Sequence, residues 1–216
     1  MKKIAIFGAG GFGREVHMLV QQINAVENTW EFIGYFDDGV EKGVIVNGFP
    51  VLGGKNELNA WTEPIHIVYA IGDPMTKRKI IENIHNPLIQ YPILIHPNVL
   101  IGDMQFNSIG EGSIICAGNI ITVNIKIGKH VILNLSCTTG HDTTIGDYCS
   151  FMPTVNISGE VVIEDAVYVG TGAKIINQLT IGENTIVGSG AVVAKTLPAN
   201  CTAVGIPAKP IKFHDQ

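Results

Sequence analysis

Charged and aromatic side chains are scarce in this sequence. Of its 216 residues, 15% are charged and 7% are aromatic, and the net charge at pH 7 is −5. The acids and bases are scattered, so that no basic stripe could neutralise the phosphates of a nucleic acid. The sequence therefore argues against nucleic-acid binding.

Long apolar runs and paired cysteines are also missing. No run approaches the roughly 18 apolar residues that a membrane-spanning helix needs. The opening Met1-Lys2-Lys3 leads into a short strand rather than a signal peptide. The cysteines, which form no Cys-x-x-Cys pair, are Cys116, Cys137, Cys149 and Cys201. We therefore expect a cytoplasmic protein with reduced, packed cysteines and no structural metal.

Leucine is scarce beside the β-branched aliphatic residues. The chain has 10 Leu but 32 Ile and 20 Val, together with 25 Gly. Side chains branched at Cβ suit strands better than helices. The composition therefore predicts more sheet than helix.

An apolar residue recurs at every sixth position from Ile109 to Val193. Fourteen of these fifteen positions are apolar, with Thr139 as the exception, and glycine follows seven of them. This period does not fit a helix. A helix turns about 100° per residue, so residues six apart lie on different faces of it. Three short strands can form one triangular rung of eighteen residues, with the apolar side chains stacked inside it. We therefore predict five such rungs over residues 109–198.

The repeats resemble those of a known family. Ile145-Gly-Asp-Tyr-Cys-Ser and Ile181-Gly-Glu-Asn-Thr-Ile are similar to the repeats of the hexapeptide acyltransferases. This resemblance implies an all-β, left-handed parallel β-helix. A coil that serves only as a structural spacer is the alternative.

The first half of the sequence predicts a small α/β domain. Strands are predicted at residues 3–7, 31–36, 65–71 and 91–95, and helices at 14–23 and 75–85. Strands that alternate with helices indicate a parallel sheet. We therefore predict a Rossmann-like domain over residues 1–95 and a β-helix domain with a C-terminal tail over residues 96–216. A linking segment at residues 96–106 is expected to lead into the coil.

A glycine loop, Gly8-Ala-Gly-Gly-Phe-Gly13, separates the first predicted strand from the first predicted helix. Such a loop suits a phosphate, because its backbone can approach closely and the helix start presents free amides. With Asp37 and Asp38 about 25 residues later, it reproduces the dinucleotide fingerprint. A nicotinamide dehydrogenase is therefore one alternative, and a tight turn that binds nothing is another. The short domain and its fusion to the coil favour a nucleotide sugar.

The whole arrangement resembles the bacterial sugar acyltransferases that include the bacillosamine and perosamine N-acetyltransferases and the sialic acid O-acetyltransferase group. The similarity extends to the tail Val204-Gly-Ile-Pro-Ala-Lys209. It implies nucleotide-sugar contacts at Gly8, Gly10, Gly11, Phe12, Gly13, Asp37, Asp38, Gly72 and Asn134. It implies acetyl-CoA contacts at Ser150, Gly170, Thr171, Gly188, Ser189 and Pro207.

Two of these positions depart from the family pattern. Phe12 stands where the glycine loop of many members has a histidine. Ser150 stands where the bacillosamine-type enzymes have a second histidine near the thioester. A polar contact to the acceptor or its phosphates is therefore expected to be missing.

The segment from Asn134 to Asp142 resembles the catalytic segment of the family, in which an Asn precedes a His-acid pair by seven residues. Histidine titrates in the range needed to take a proton from a sugar amine, and an adjacent carboxylate can fix its tautomer. We therefore predict direct transfer from acetyl-CoA, with His141 as the base and Asp142 tuning it. No cysteine adjoins a histidine in the sequence, so no acyl-enzyme nucleophile is indicated. His130 is predicted to be exposed to solvent rather than catalytic, and His17 is predicted to be a surface or helix-end residue.

The related enzymes are trimers with active sites between subunits, which implies a homotrimer. The predicted activity is N-acetylation of a nucleotide-linked sugar with a 4-amino group, for glycan biosynthesis, and sugar O-acetylation is the alternative within the same class. A zinc enzyme related to carbonic anhydrase would need three coil histidines, and only His130 and His141 are available. A noncatalytic nucleotide-sensing module is a further alternative. The nucleotide base, the sugar, the acylated position and the acyl chain are not specified by the sequence.

Overall fold

The computed structural model describes residues 1–214. They begin with an α/β domain built on one sheet, in the strand order β3-β4-β2-β1-β5-β6. Its elements are β1 (Lys2–Phe7), α1 (Gly11–Val26), β2 (Trp30–Phe36), β3 (Ile45–Val46), β4 (Phe49–Gly53), α2 (Lys55–Asn59), β5 (Ile65–Tyr69), α3 (Pro74–Glu82) and β6 (Ile89–Gln90). All neighbouring strands pair in parallel except β3 and β4. The predicted Rossmann-like parallel sheet is confirmed.

Three parts of this domain differ from the prediction. The sheet ends with β6 at Ile89–Gln90 rather than with the predicted strand 91–95. Helix α1 begins at Gly11 rather than Arg14, so the last glycines of the loop lie in its first turn. The hairpin β3–β4 and the short helix α2 were not predicted, because each is too short to show a periodic apolar pattern. The longer α1 is amphipathic and buries Val16, Leu19 and Val20 against the sheet.

A coil of two-residue strands follows the α/β domain and has three flat sides. Its strands are β7 (Leu94–Ile95), β8 (Leu100–Ile101), β9 (Ser108–Ile109), β10 (Ile114–Ile115), β11 (Ile120–Ile121), β12 (Lys126–Ile127), β13 (Ile132–Leu133), β14 (Thr138–Thr139), β15 (Thr144–Ile145), β16 (Ser150–Phe151), β17 (Asn156–Ile157), β18 (Val162–Ile163), β19 (Tyr168–Val169), β20 (Lys174–Ile175), β21 (Thr180–Ile181), β22 (Ile186–Val187) and β23 (Val192–Val193). The hairpin β24 (Cys201–Gly205) and β25 (Ala208–Phe213) closes the end. The first side contains β7, β10, β13, β16, β19, β22, β24 and β25; the second contains β8, β11, β14, β17, β20 and β23; the third contains β9, β12, β15, β18 and β21.

The register between rungs confirms the predicted triangular rung. On the third side Ile127 pairs with Ile145, and Ile145 pairs with Ile163, which is a step of eighteen residues in a parallel β-helix. The second residue of each strand points inward and packs against the next rung. Thr139 is also inside, between Ile121 and Ile157, and is only 1% exposed. The left-handed sense that the family resemblance implies stays a prediction.

The coil begins earlier than the sequence predicted. Strand β7 pairs with β10 on the coil rather than with the sheet of the α/β domain, so Leu94 lies opposite Ile114. The segment expected to be a linker, residues 96–106, forms part of this first rung. Its step is twenty residues rather than eighteen, and the two additional residues hide the period of six at this end of the coil.

The α/β domain packs on the outer face of the first side. Leu94, Ile114 and Ile132 point outward from that side and join the same apolar cluster as Val16 and Leu19 of α1. The two domains therefore share a core. All four cysteines are free and buried, as predicted.

Two histidines that were predicted to lie at the surface are buried in this structure. His17 of α1 is 7% exposed and stacks on Phe32 at a ring distance of 4.1 Å. His130 is 4% exposed and stacks on Tyr148 at 5.7 Å, beneath Tyr69 of the α/β domain. The surface prediction is wrong for both, because aromatic side chains from other elements cover them.

A lysine is buried between the two domains. Lys77 of α3 has no exposed surface, and its Nζ donates to Ser150 Oγ at 2.9 Å and to the Cys149 carbonyl at 3.4 Å. Burial lowers the pKa of Lys77 to about 7, although Asp73 and Cys149 oppose this shift. Burial, followed by the charge of Lys77, lowers the pKa of His130 to about 4.

Within residues 1–214, no helix is both long enough and apolar enough to span a bilayer.

The substitution Lys77→Met should remove a pH dependence from the stability of the fold. The pKa of Lys77 is about 7 when folded and 10.5 ordinarily, so between these values the unfolded chain binds more protons and wild-type stability rises with pH. We expect the free energy of unfolding of the variant, relative to wild type, to be highest below pH 7. It should then fall by on the order of a few kcal/mol as the pH approaches 10.5.

Denaturant unfolding at a series of pH values measures this difference. Lys79→Met is the control, because Lys79 lies on the same helix but is exposed. Curves for wild type and Lys77→Met that run parallel across this range would show that the buried amine does not titrate there.

Candidate active site

The predicted pair of His141 and Asp142 lies in the turn between β14 and β15, where the second and third sides meet. His141 Nδ1 lies 2.8 Å from Asp142 Oδ2, and the two side chains are 57% and 48% exposed. A carboxylate at Nδ1 favours the tautomer with its proton on Nδ1, which leaves Nε2 as the basic nitrogen. We name this turn, with the turns stacked above and below it, the base corner.

Asp142 is held from both sides of its carboxylate. Its Oδ1 accepts a hydrogen bond from Asn124 Nδ2 at 2.8 Å, and its Oδ2 faces His141. Asn124 lies eighteen residues earlier, in the equivalent turn of the previous rung. The hydrogen bond from Asn124, and then that from His141, lower the pKa of Asp142. Asp142 is thereby favoured as the anion that orients the imidazole.

The imidazole of His141 lies directly over Gly159, in the turn of the next rung. A Cβ built on Gly159 would lie 2.5 Å from Nε2 and 2.6 Å from Cε1 of the ring. The backbone around the ring is also fixed, because Glu160 donates its N–H to the His141 carbonyl at 2.7 Å. Gly159 therefore provides the space that the ring occupies. Sequence reasoning missed Asn124 and Gly159, although the step of eighteen residues could have located both.

The predicted coenzyme A residues form a second group, where the first and second sides meet. Gly170 and Gly188 stack on successive rungs, and a Cβ on Gly170 would lie 2.5 Å from Ser189 N. Thr171 and Ser189 are exposed beside them. We name this edge the glycine corner. Pro207, in the turn between β24 and β25, is exposed near its end.

Asn134 belongs to the glycine corner rather than to the base corner. It directly follows β13 on the first side, two rungs before Gly170, and is 6% exposed. Its Oδ1 accepts the N–H of Leu135 at 2.7 Å. The full width of the second side thus separates Asn134 from His141 within one chain.

Ser150, which was predicted to contact acetyl-CoA, has no exposed surface in this structure. Ser150 points outward from the first side, but α3 of the α/β domain covers it and leaves it without exposed surface. Its hydroxyl accepts the hydrogen bond from Lys77. This residue therefore joins the two domains instead of facing a ligand.

The glycine loop lies at the carboxyl ends of β1 and β5. Gly8 has a φ of 112°, which favours glycine, and a Cβ there would lie 2.8 Å from the Ala70 carbonyl oxygen. Gly13 is buried against the Gly8 carbonyl and allows the helix to pack on the loop, so its Cα is closed to a ligand. Gly10 and Gly11 are exposed at the start of α1. Because Gly10 at the N-cap has no side chain, the first amides of α1 are open to an anion.

The two acids after β2 accept hydrogen bonds from two different segments. Asp37 Oδ2 accepts the N–H of Ala9 at 2.8 Å, which ties the glycine loop to the end of β2. Asp38 Oδ1 accepts the N–H of Lys55 at 2.7 Å, at the start of α2. Each carboxylate retains acceptor capacity for a ligand.

The segment after β5 lies against the glycine corner. A Cβ on Gly72, just after β5, would lie 3.9 Å from Cε of Met152, which belongs to that corner. Phe12 is half-buried and packs on the cluster of α1 and the first side, so it presents an apolar ring at this edge. Among residues 1–214, no group of three or more His, Cys, Asp or Glu side chains could hold a metal ion.

Comparisons with known proteins agree with both halves of this arrangement. Residues 3–84 match the family described as PglD N-terminal domain, and residues 160–195 match that described as bacterial transferase hexapeptide (six repeats). The GDP-perosamine N-acetyltransferase of Escherichia coli O157:H7 is 36% identical over 218 residues, which cover 98% of this chain and 97% of that protein. The chain belongs to the hexapeptide-repeat family of sugar N-acetyltransferases. The predicted enzyme class, an acyltransferase, is confirmed.

Two solved structures of this family share the fold along the whole chain. One is PerB from Caulobacter crescentus in complex with CoA and GDP-perosamine, with 27% identity, a TM-score of 0.84 and 98% of both chains covered. The other is the acetyltransferase domain of PglB from Neisseria gonorrhoeae FA1090 in complex with acetyl coenzyme A. It has 31% identity, a TM-score of 0.80 and 97% of this chain and 99% of that chain covered. The membership decides against the dehydrogenase and carbonic anhydrase alternatives.

The substitution Gly159→Ala is expected to displace the imidazole of His141. The added methyl group would occupy the position of the ring, and the ring is the only part of this contact that can rotate away. A crystal structure of the variant should therefore show a changed χ1 or χ2 for His141 and a longer distance between Nδ1 and Asp142 Oδ2. We also expect kcat to fall about tenfold to a hundredfold. An unchanged ring position would show that the backbone yields instead.

Proposed function

We propose that this chain transfers an acetyl group from acetyl-CoA to the amino group of a nucleotide-linked amino sugar, with His141 as the general base. The observation that carries the proposal is the exposed pair of His141 and Asp142, with Nδ1 bound to the carboxylate and Nε2 free for the acceptor. The similarity to enzymes that are named for, or solved with, GDP-perosamine supports a sugar amine as the acceptor. We propose that the acetylated group is the 4-amino group of the sugar.

The proposed reaction requires the amine nitrogen of the acceptor to lose a proton. The neutral amine attacks the thioester carbonyl carbon, a C–N bond forms, and the C–S bond to coenzyme A then breaks. His141 Nε2 takes the proton that the amine nitrogen must lose, and Asp142 stabilises the resulting imidazolium. That proton can pass to the departing thiolate, so that the products are the N-acetyl sugar and coenzyme A thiol. All four cysteines are buried, which supports direct transfer without an acyl-enzyme.

The α/β domain is proposed to bind the nucleotide part of the acceptor. The open amides at Gly10 and Gly11, at the positive end of α1, suit its phosphates. Asp37, Asp38 and Gly72 lie at the same edge of the sheet. Since Phe12 replaces a polar side chain there, its contact with the acceptor would be apolar.

The site is proposed to be completed between copies of the chain in a homotrimer. Within one chain the base corner and the glycine corner lie on opposite edges of the second side, so neither is complete alone. The outer face of that side carries exposed apolar residues at its first rungs, namely Leu100 at 66% and Ile120 at 41%. Val123 at the base corner and Leu135 at the glycine corner are also exposed. Packing this face against a second copy would bury apolar surface and bring one copy's base corner to another's glycine corner.

The activity is tested by release of coenzyme A thiol from acetyl-CoA with a panel of UDP-, dTDP- and GDP-linked amino sugars. Wild type should turn over at least one 4-amino sugar, and the nitrogen acetylated is identified by NMR of the product. His141→Asn should lower kcat about a hundredfold or more and leave both KM values nearly unchanged. His66→Asn, at a histidine of the α/β domain on β5, is the matched control.

Two results would overturn this proposal. Wild-type turnover by His141→Asn would exclude the general base. Acetylation of hydroxyl acceptors, with no reaction of any amine, would replace N-acetylation by O-acetylation.

Mixing two inactive variants tests whether the site is shared between subunits. His141→Ala disables the base corner, and Thr171→Trp blocks the glycine corner at an exposed residue. In randomly mixed trimers, about one site in four would combine an intact base corner with an intact glycine corner from the next copy. We therefore expect co-refolded mixtures to recover about a quarter of wild-type activity, while each variant alone stays inactive. A site contained in one chain would give no recovery, and light scattering of an active monomer would exclude the trimer.

A further inference from the structure

We propose that Asn124 is a positioning residue of the active site: it holds one oxygen of Asp142 so that the other stays on His141 Nδ1. This inference rests on the proposed function of His141 as the base. Asn124 itself is not placed in contact with either substrate. Its role would be exerted through Asp142.

The first support is the stacking of equivalent turns. Asn124 and Asp142 are eighteen residues apart and have nearly the same left-handed backbone, with φ of 59° and 58°. The turn is further joined to its neighbour, because Asp142 donates its N–H to the Val123 carbonyl at 3.0 Å. The two side chains therefore leave the coil side by side. The distance between Asn124 Nδ2 and Asp142 Oδ1 is 2.8 Å.

The second support is that the two oxygens of the Asp142 carboxylate have different partners. Oδ1 accepts from Asn124 and Oδ2 lies 2.8 Å from His141 Nδ1. Without Asn124, the exposed carboxylate could rotate about χ2 and exchange its oxygens with water. The amide of Asn124 is a donor that stays uncharged at every pH relevant here. It can therefore fix the carboxylate without competing for the proton of the imidazole.

The third support is that the next carboxylate along the base corner, Glu160, has a hydrogen-bond partner of its own. Glu160, one rung further on, accepts a hydrogen bond from Gln178 Nε2 at 3.1 Å. The corner thus contains two amide–carboxylate pairs, Asn124 with Asp142 and Gln178 with Glu160. Only the first includes the histidine. The pairing of Glu160 with Gln178 leaves Asp142 as the carboxylate on His141.

Asn124→Gly removes the donor and keeps the turn, because glycine tolerates the left-handed backbone that Asn124 adopts. Asn124→Asp keeps the size of the side chain but replaces the donor by a second carboxylate. Asn124→Gln is the conservative variant, since Gln178 already occupies the equivalent turn with a φ of 61°. Asn184→Gly is the matched control: Asn184 has a φ of 55° and a side-chain hydrogen bond to Asn200, in a corner without His141.

We expect Asn124→Gly to lower kcat about tenfold with little change in either KM, and Asn124→Asp to lower it further. The pKa of Asp142 should rise in both variants, because the carboxylate loses the hydrogen bond that lowers this pKa most. Asn124→Gln should restore most of the wild-type kcat. Asn184→Gly should retain the wild-type kcat.

A second measurement does not depend on activity. In the ligand-free protein, carboxyl-carbon NMR should give a higher pKa for Asp142 in Asn124→Gly than in wild type, whereas Asn184→Gly should leave it unchanged. An unmoved Asp142 titration, or a wild-type kcat in Asn124→Gly and Asn124→Asp, overturns the inference. A loss of stability alone, with kcat unchanged, also overturns it. If wild type acetylates no sugar while the Asp142 titration still moves, the proposed function fails and the contact of Asn124 stands.

Discussion

The step of eighteen residues between rungs is the constraint on which this structure depends. It places each inward aliphatic side chain on its equivalent one rung away, as Ile127 lies on Ile145 and Ile145 on Ile163. The same step brings the turns into register, so that residues eighteen apart meet outside the coil as well. Asn124, Asp142 and the Gly159 turn below His141 are brought together in this way. The core and the candidate site thus follow from one geometric rule.

The α/β domain is joined to the coil by more than a connecting segment. Apolar side chains of both parts share a cluster, and the amine of Lys77 bonds to Ser150 inside the contact. A buried amine has a stability cost unless its hydrogen bonds are made, which favours a single arrangement of the two parts. The glycine loop is therefore held at a fixed place relative to the coil.

Most of the architecture could be predicted because periodic patterns report which side chains are inside. The period of six gave the coil from Ile109 onward, and the alternation of strands and helices gave the parallel sheet. The first rung could not be found because its two additional residues interrupt the period of six. The burial of Ser150 was missed because the residue that covers it, Lys77, lies on α3. The burial of His130 was missed because its aromatic neighbours lie far away in the chain. The pair His141 and Asp142 could be found from adjacent residues. Its support from Asn124 and Gly159 required the rungs to be stacked first.

The left-handed turns at the corners have a consequence for how such a protein acquires new chemistry. Asp142, Gln178 and Asn184 share one backbone conformation, and the backbone at each is held by a hydrogen bond to the neighbouring turn rather than by the identity of the side chain. A reactive group can consequently be exchanged for a different one while the aliphatic interior stays as it is. Substitutions at these turns can therefore change the specificity of such a protein without disturbing the interior that stabilises its fold.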